Sequence, residues 1–155
     1  MSVILNEMAD VFSIFHDGVI SGYTGDENLL RIEIYCEYLA KRVNPSYRYF
    51  YVEFEGIEKL EFLPWMNPIE LPQISMKEAK DIFQAPLEIL AAEIENDYVK
   101  IYCNQHNSGL GYSGGTILLN CTSAKVFDQG NNAITIEKLT NICNGYWDDF
   151  SKRIE

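Results

Sequence analysis

No two cysteines in this chain lie close together. Cys36, Cys103, Cys121 and Cys143 are scattered, so no CxxC pair is available to a structural zinc. Each falls in step with apolar neighbours, such as Ile32 and Ile34 before Cys36 or Val99 and Ile101 before Cys103. All four are therefore expected as buried thiols. Histidine is scarce too. His16 and His106 are the only two, and their spacing matches no HExxH-type metal site. No apolar run approaches the roughly 20 residues of a membrane span, and Met1 to Phe15 lacks the basic start and apolar middle of a signal peptide. The expectation is a cytoplasmic chain with no metal and no cofactor.

Positive charge is also short. Twelve Lys and Arg stand against 23 Asp and Glu, a net charge of −11. Phosphate backbones repel such a surface, so nucleic acid is not an expected partner. A basic protein is, because complementary potentials steer association.

What is present is an ordinary globular composition with many aromatic residues. At 155 residues the chain fits one domain, 1–155. Ile4, Leu5, Met8, Val11, Phe12 and Phe15 recur at helical spacing, which predicts a helix over 3–15. Leu30, Ile32, Ile34 and Cys36 alternate with polar residues, the period of a half-buried strand. Similar patterns predict strands at 19–23, 47–54, 57–63, 87–94, 98–104, 116–121 and 124–127, with turns at Gly25 to Asn28, Glu55-Gly56 and Glu95 to Asp97. Ser75-Met76-Lys77-Glu78 has the form of a capping box ahead of a helix over 76–84. Thr135 is a candidate N-cap. Ile136, Leu139, Ile142, Cys143, Tyr146, Trp147 and Phe150 then share one face of a helix over 135–152.

Two stretches are alike. Residues 19–62 and 89–127 each run strand, acidic turn, strand, loop and further strands, and they share the tripeptides Ile34-Tyr35-Cys36 and Ile101-Tyr102-Cys103. Neither half could bury its sheet alone, so the two should share a core. The expected fold is α+β: a mainly antiparallel sheet from two related β-meanders, with N-terminal, middle and C-terminal helices.

Few motifs carry chemistry. Gly109-Leu110-Gly111-Tyr112-Ser113-Gly114 matches GxGxxG, but the dinucleotide fingerprint needs a helix to open at the third glycine. Here a strand pattern follows, so a hairpin loop is expected, with Tyr112 as a candidate partner contact. His16-Asp17 could serve as a base and its orienter. On a strand, adjacent side chains point to opposite faces, so a structural turn in which Asp17 caps a backbone N–H is preferred. Asp148 and Asp149 form an acidic edge beyond Tyr146 and Trp147, which are expected in the core.

Phe15-His16-Asp17-Gly18-Val19-Ile20, followed by a turn and the alternating strand to Cys36, resembles the opening of small bacterial proteins with an "FHD" motif and a β-meander. Some of these are assigned to immunity proteins of toxin systems. The resemblance covers about residues 15–63. It implies a non-enzymatic α+β protein that binds and blocks a toxin, and it brings no catalytic residue. The expected function is thus a protein-interaction module, with His16, Asp17, Tyr112, Asp148 and Asp149 as candidate partner-binding residues. One alternative is a small-ligand or structural domain with a pocket between the meanders, where Tyr47, Tyr49 and Tyr51 share a strand face. A further alternative is an enzyme built on His16, Asp17 and His106.

Overall fold

The chain opens on the helix that its periodicity predicts. The computed structural model describes residues 3–66 and 68–153. Met1, Ser2, Asn67, Ile154 and Glu155 lie outside the described residues. Helix α1 (Val3–Ile14) leads into the hairpin β1 (Val19–Gly25) and β2 (Leu29–Tyr35). A short helix α2 (Glu37–Val43) precedes the long strand β3 (Tyr49–Met66). After α3 (Ala79–Ile82) comes a second hairpin, β4 (Leu87–Glu95) and β5 (Tyr98–Gln105). A 3-10 turn at Ser108–Leu110 precedes the second long strand, β6 (Tyr112–Asp128), followed by β7 (Ala133–Ile134) and α4 (Ile136–Arg153). The fold is α+β with one antiparallel sheet of seven strands.

The two long strands organise everything else. β3 and β6 run antiparallel from Phe50↔Asp128 to Met66↔Tyr112. The start of β3 also pairs with β2, and the start of β6 pairs with β5. β1 and β4 then meet through Val19↔Glu88 and Ile20↔Leu87. The strand order therefore closes on itself, and closure removes most free edges. Beyond those two pairs β4 leaves β1, and α1 packs against it, with the Ser13 hydroxyl donating to the Ala92 carbonyl at 3.4 Å.

Inward residues of both halves make one core. Leu30, Ile32, Ile34, Phe50, Val52 and Phe54 meet Ile89, Val99, Ile101, Ile117 and Leu119 there. Helix α1 adds Met8, Phe12 and Phe15, with Phe15 5.0 Å from the Phe50 ring and Phe12 stacked at 6.1 Å on Phe54. Each fully buried ring stabilises the fold by roughly 1.5–3 kcal/mol. The interior is filled. Its residual cavity is about 10 Å³, ringed by Phe12, Ile20, Phe54, Phe83 and Ile117. That volume holds no ligand, so among the described residues the shared core itself leaves no room for one. Tyr49 and Tyr51 lie on the outer face of β3, where Tyr51 stacks under Arg31 at 4.3 Å.

Several local expectations change. Glu55-Gly56 does not reverse the chain. Gly56, at φ +60°, bends β3, and the strand continues along β6 after a register shift at Ile57/Lys59. The fragments 116–121 and 124–127 likewise merge into β6. The Ser75–Glu78 capping box is not formed. Met76 exchanges both backbone hydrogen bonds with Phe62, at 2.8 and 2.9 Å, so it is held extended and α3 starts only at Ala79. Helix α2 was not expected. The alternation of β2 masks it, and its own signal is short: buried Leu39 and Ala40 with a Glu37–Lys41 ion pair at 2.7 Å.

Candidate functional site

The Gly109–Gly114 loop opens no helix. Gly111 takes a left-handed φ of +76°, and Tyr112 begins β6. The later glycines are there for packing. A Cβ on Gly114 would lie 2.2 Å from the Cys103 carbonyl oxygen, and one on Gly115 would lie 2.3 Å from the Phe62 ring. Tyr112, the candidate partner contact, is buried in this fold. It is 6% exposed, edge-on to Phe62 at 5.8 Å, and its hydroxyl accepts from Gln84 Nε2 at 3.2 Å.

The His16-Asp17 segment is a turn, but a different one from that expected. Asp17 has a left-handed φ of +69°, and its backbone N–H, not its carboxylate, makes the tie, donating to the Ile89 carbonyl at 2.8 Å. His16 Nδ1 lies 2.9 Å from the Ser13 carbonyl oxygen, and Nε2 lies 3.8 Å from Asp17 Oδ2. His106 is held elsewhere, with Nε2 3.3 Å from Glu88. The two histidines share no partner, and among the described residues no group of His, Cys, Asp and Glu is placed to hold a metal ion.

The most developed surface feature lies beside His16, between α2 and α4. Leu39 and Ala40 anchor α2 on the barrel end. That turns Tyr38, Lys41 and Arg42 towards α4. Helix α4 is set by Thr135, whose hydroxyl accepts from the Lys138 N–H at 3.1 Å, and by fully buried Leu139. From there α4 runs along α1 and α2. Its apolar stripe extends beyond the surface it packs on. Trp147 and Phe150 remain 37% and 40% exposed, although the periodicity places them on the core face.

These rings form one cluster. Tyr38 and Tyr146 lie 4.6 Å apart, Tyr146 and Trp147 5.0 Å, and Trp147 and Phe150 5.5 Å. The His16 ring stacks on Trp147 at 5.7 Å and 14°. The Tyr38 hydroxyl donates to the His16 carbonyl at 2.9 Å, fixing α2 to the turn. Beside this cluster is an open cleft of about 600 Å³ lined by Asp17, Tyr35, Tyr38, Tyr146 and Phe150, among others. Lys41, Arg42 and Arg153 line it together with Asp17, Glu37 and Asp149, so the cleft is balanced in charge although the chain is at −11. Of the expected residues, Asp17 and Asp149 line the cleft, and His16 stands beside it against Trp147. Asp148 is exposed on α4 next to them and does not line the cleft.

Ion pairs hold the cleft walls. Arg42 bonds Asp149 at 2.6 Å, and the guanidinium keeps that carboxyl below the usual aspartate range. Lys41, then the Tyr35 hydroxyl, do the same for Glu37. A depressed carboxylate pKa contributes stability that is present at neutral pH and lost as pH falls through the folded value. Acidification below about pH 4 is therefore expected to loosen the end of α4 before the barrel unfolds. Tryptophan emission titrated into acid checks this. The early change should be absent in Asp149→Asn, which is loosened already at neutral pH.

The thiols are inert. Burial pushes Cys36 and Cys103 up to about 12 and Cys121 to about 11, and it also raises Cys143. Cys143 differs from expectation in being only half-buried. At about pH 8, Ellman's reagent should label native protein slowly, at Cys143 first, and label all four thiols after denaturation.

No family model, no curated protein and no solved structure matches this chain.

Proposed function

We propose that the chain is a protein-interaction module that binds and blocks a partner, as immunity-type inhibitors of bacterial toxins do, and that it meets that partner at the α2–α4 cleft. The observation that carries this reading is the exposure of Trp147 and Phe150 at the end of an otherwise packed helix. Trp, Tyr and Arg are the residue types that anchor protein interfaces, in patches rimmed by polar groups. Here Tyr38, Tyr146 and Trp147 are already rigid in a ring cluster, so little side-chain entropy remains to be lost on binding.

A basic partner fits the rest of the surface. Residues 53–97 hold 11 of the 23 acidic side chains and only three of the 12 basic ones. The cleft is neutral by comparison. The division of labour follows: the net negative charge attracts the partner over distance, and the aromatic cleft sets how long it stays. The test is stopped-flow association of the chain with a partner isolated on it, at increasing salt. The association rate should fall with salt while the dissociation rate stays nearly constant. A salt-independent association rate contradicts the basic-partner reading.

A further inference from the structure

We infer that the α2–α4 cleft is a seat for an arginine side chain of the basic partner, with Asp17 pairing the guanidinium and the Tyr38 and Tyr146 rings flanking it. This rests on the reading of the cleft as the partner site, and it names the group that the partner places there. The carboxylates that line the cleft are not equivalent. Glu37 is taken by Lys41 at 2.7 Å, and Asp149 by Arg42 at 2.6 Å. Asp17 has no Lys or Arg within salt-bridge distance among the described residues, and its ion-pair neighbour is His16 Nε2 at 3.8 Å. The Asp17 side chain is 66% exposed and lines the cleft. Its backbone is nonetheless fixed, at a left-handed φ of +69° with the N–H bonded to the Ile89 carbonyl at 2.8 Å. A charge on a fixed backbone loses little freedom on pairing.

The rings beside Asp17 are not covered by the chain's own cations. Elsewhere Arg31 lies over Tyr51 at 4.3 Å, and Lys59 over Tyr98 at 5.2 Å. Among the described residues no Lys or Arg sits over Tyr35, Tyr38, Tyr146 or Phe150, although Lys41 and Arg42 line the same cleft. Those two cations are held by Glu37 and Asp149 instead. Burial first, then the Cys36 thiol and the Asp17 carboxylate, push the Tyr38 hydroxyl up. Tyr38 therefore stays protonated, and its bond to the His16 carbonyl holds its ring next to Asp17. A carboxylate beside aromatic rings favours a cation. Arginine suits the site better than lysine: its guanidinium is planar, stacks on rings, meets a carboxylate with two N–H donors and is more weakly hydrated than an ammonium. An acidic side chain would be repelled by Asp17, and an apolar one would cover that carboxylate without pairing it. The cleft, at about 600 Å³, has room for the side chain.

N-acetyl-arginine amide, which carries the side chain and a single positive charge, is the probe. Titrated into the full chain and followed by NMR, it should shift the Asp17, Tyr38 and Tyr146 signals along one saturable curve. N-acetyl-lysine amide should bind there more weakly, and N-acetyl-citrulline amide, the neutral isostere, should not bind there. Asp17→Asn should weaken the arginine probe by about fivefold. Asparagine tolerates the left-handed backbone at position 17, and circular dichroism confirms that the variant is folded. Asp148→Asn, which removes the same charge outside the cleft, should leave the affinity unchanged, which separates the seat from attraction by net charge. A flat titration overturns the inference. So does equal binding of the arginine and citrulline probes, or an affinity that Asp17→Asn does not change. The probe needs no partner protein, so a failed seat and a failed interaction reading are told apart: the first is a flat titration, the second an empty partner capture.

Discussion

Gly114→Ala is expected to lower stability by about 3 kcal/mol or more, a large share of the total for a domain of this size. The added methyl would sit 2.2 Å from the Cys103 carbonyl oxygen and 2.8 Å from the Trp65 ring. The first neighbour is backbone, in the β5 strand that pairs with β6 at Asn104↔Gly114, so it cannot rotate away. β5 and β6 would have to separate at the end of their pairing. Gly22→Ala is the control. Nothing lies within 4 Å of its Cβ position, and alanine is favoured over glycine in a strand by roughly 0.5–1 kcal/mol. Denaturant midpoints, with unchanged slopes, measure both effects. The contrast bears on function. A glycine that holds two strands together is not a phosphate cradle, so GxGxxG in this chain is a packing motif.

Replacing both Trp147 and Phe150 with aspartate is expected to reduce partner affinity by about 100-fold or more in a chain that stays folded, with a lowered denaturation midpoint. Truncating a single anchoring aromatic at an interface centre costs on the order of 2 kcal/mol or more, about 30-fold in affinity, and two act together here. The fold should survive the change at some cost in stability, because the helix is also held by Leu139 and the Arg42–Asp149 pair. The loss should appear as faster dissociation, since rim charge governs approach and the desolvated rings govern escape. Surface plasmon resonance on the isolated partner separates the two rates.

How much of this was legible in the sequence depends on the range of the interaction involved. Strand alternation is local, so Leu30, Ile32 and Ile34 placed β2 and its buried face without help. Helical spacing placed α1 and α4 within a residue or two at each end. Long-range geometry was not legible. Gly56 looks like a turn because glycine with a neighbouring acid usually is one, and only pairing with β6 keeps the strand going through it. Met76 looked like part of a helix start, yet its backbone groups are taken by Phe62.

The candidate site illustrates the same limit. Periodicity says that Trp147 and Phe150 share a stripe with Leu139, but it does not say how far the underlying surface extends. That surface gives out before the end of α4, and the exposed rings follow from that end alone. His16, Asp17 and Asp149 were legible as candidates, and the fold brings them to one end of the barrel. Tyr38 and Arg42 were not, because they sit on a helix hidden behind a strand pattern. Tyr112 looked free in a polar loop, yet it is buried where β6 crosses Phe62.

The most direct test of an interaction module acting through the α2–α4 cleft is a paired capture. Wild-type chain and the Trp147→Asp, Phe150→Asp variant are immobilised side by side, lysate of the source cell is passed over both at low salt, and the retained proteins are quantified by mass spectrometry. The expected result is one basic protein retained by the wild type, lost from the variant and released by moderate salt. The same set of proteins on both surfaces, or none on either, would contradict the account.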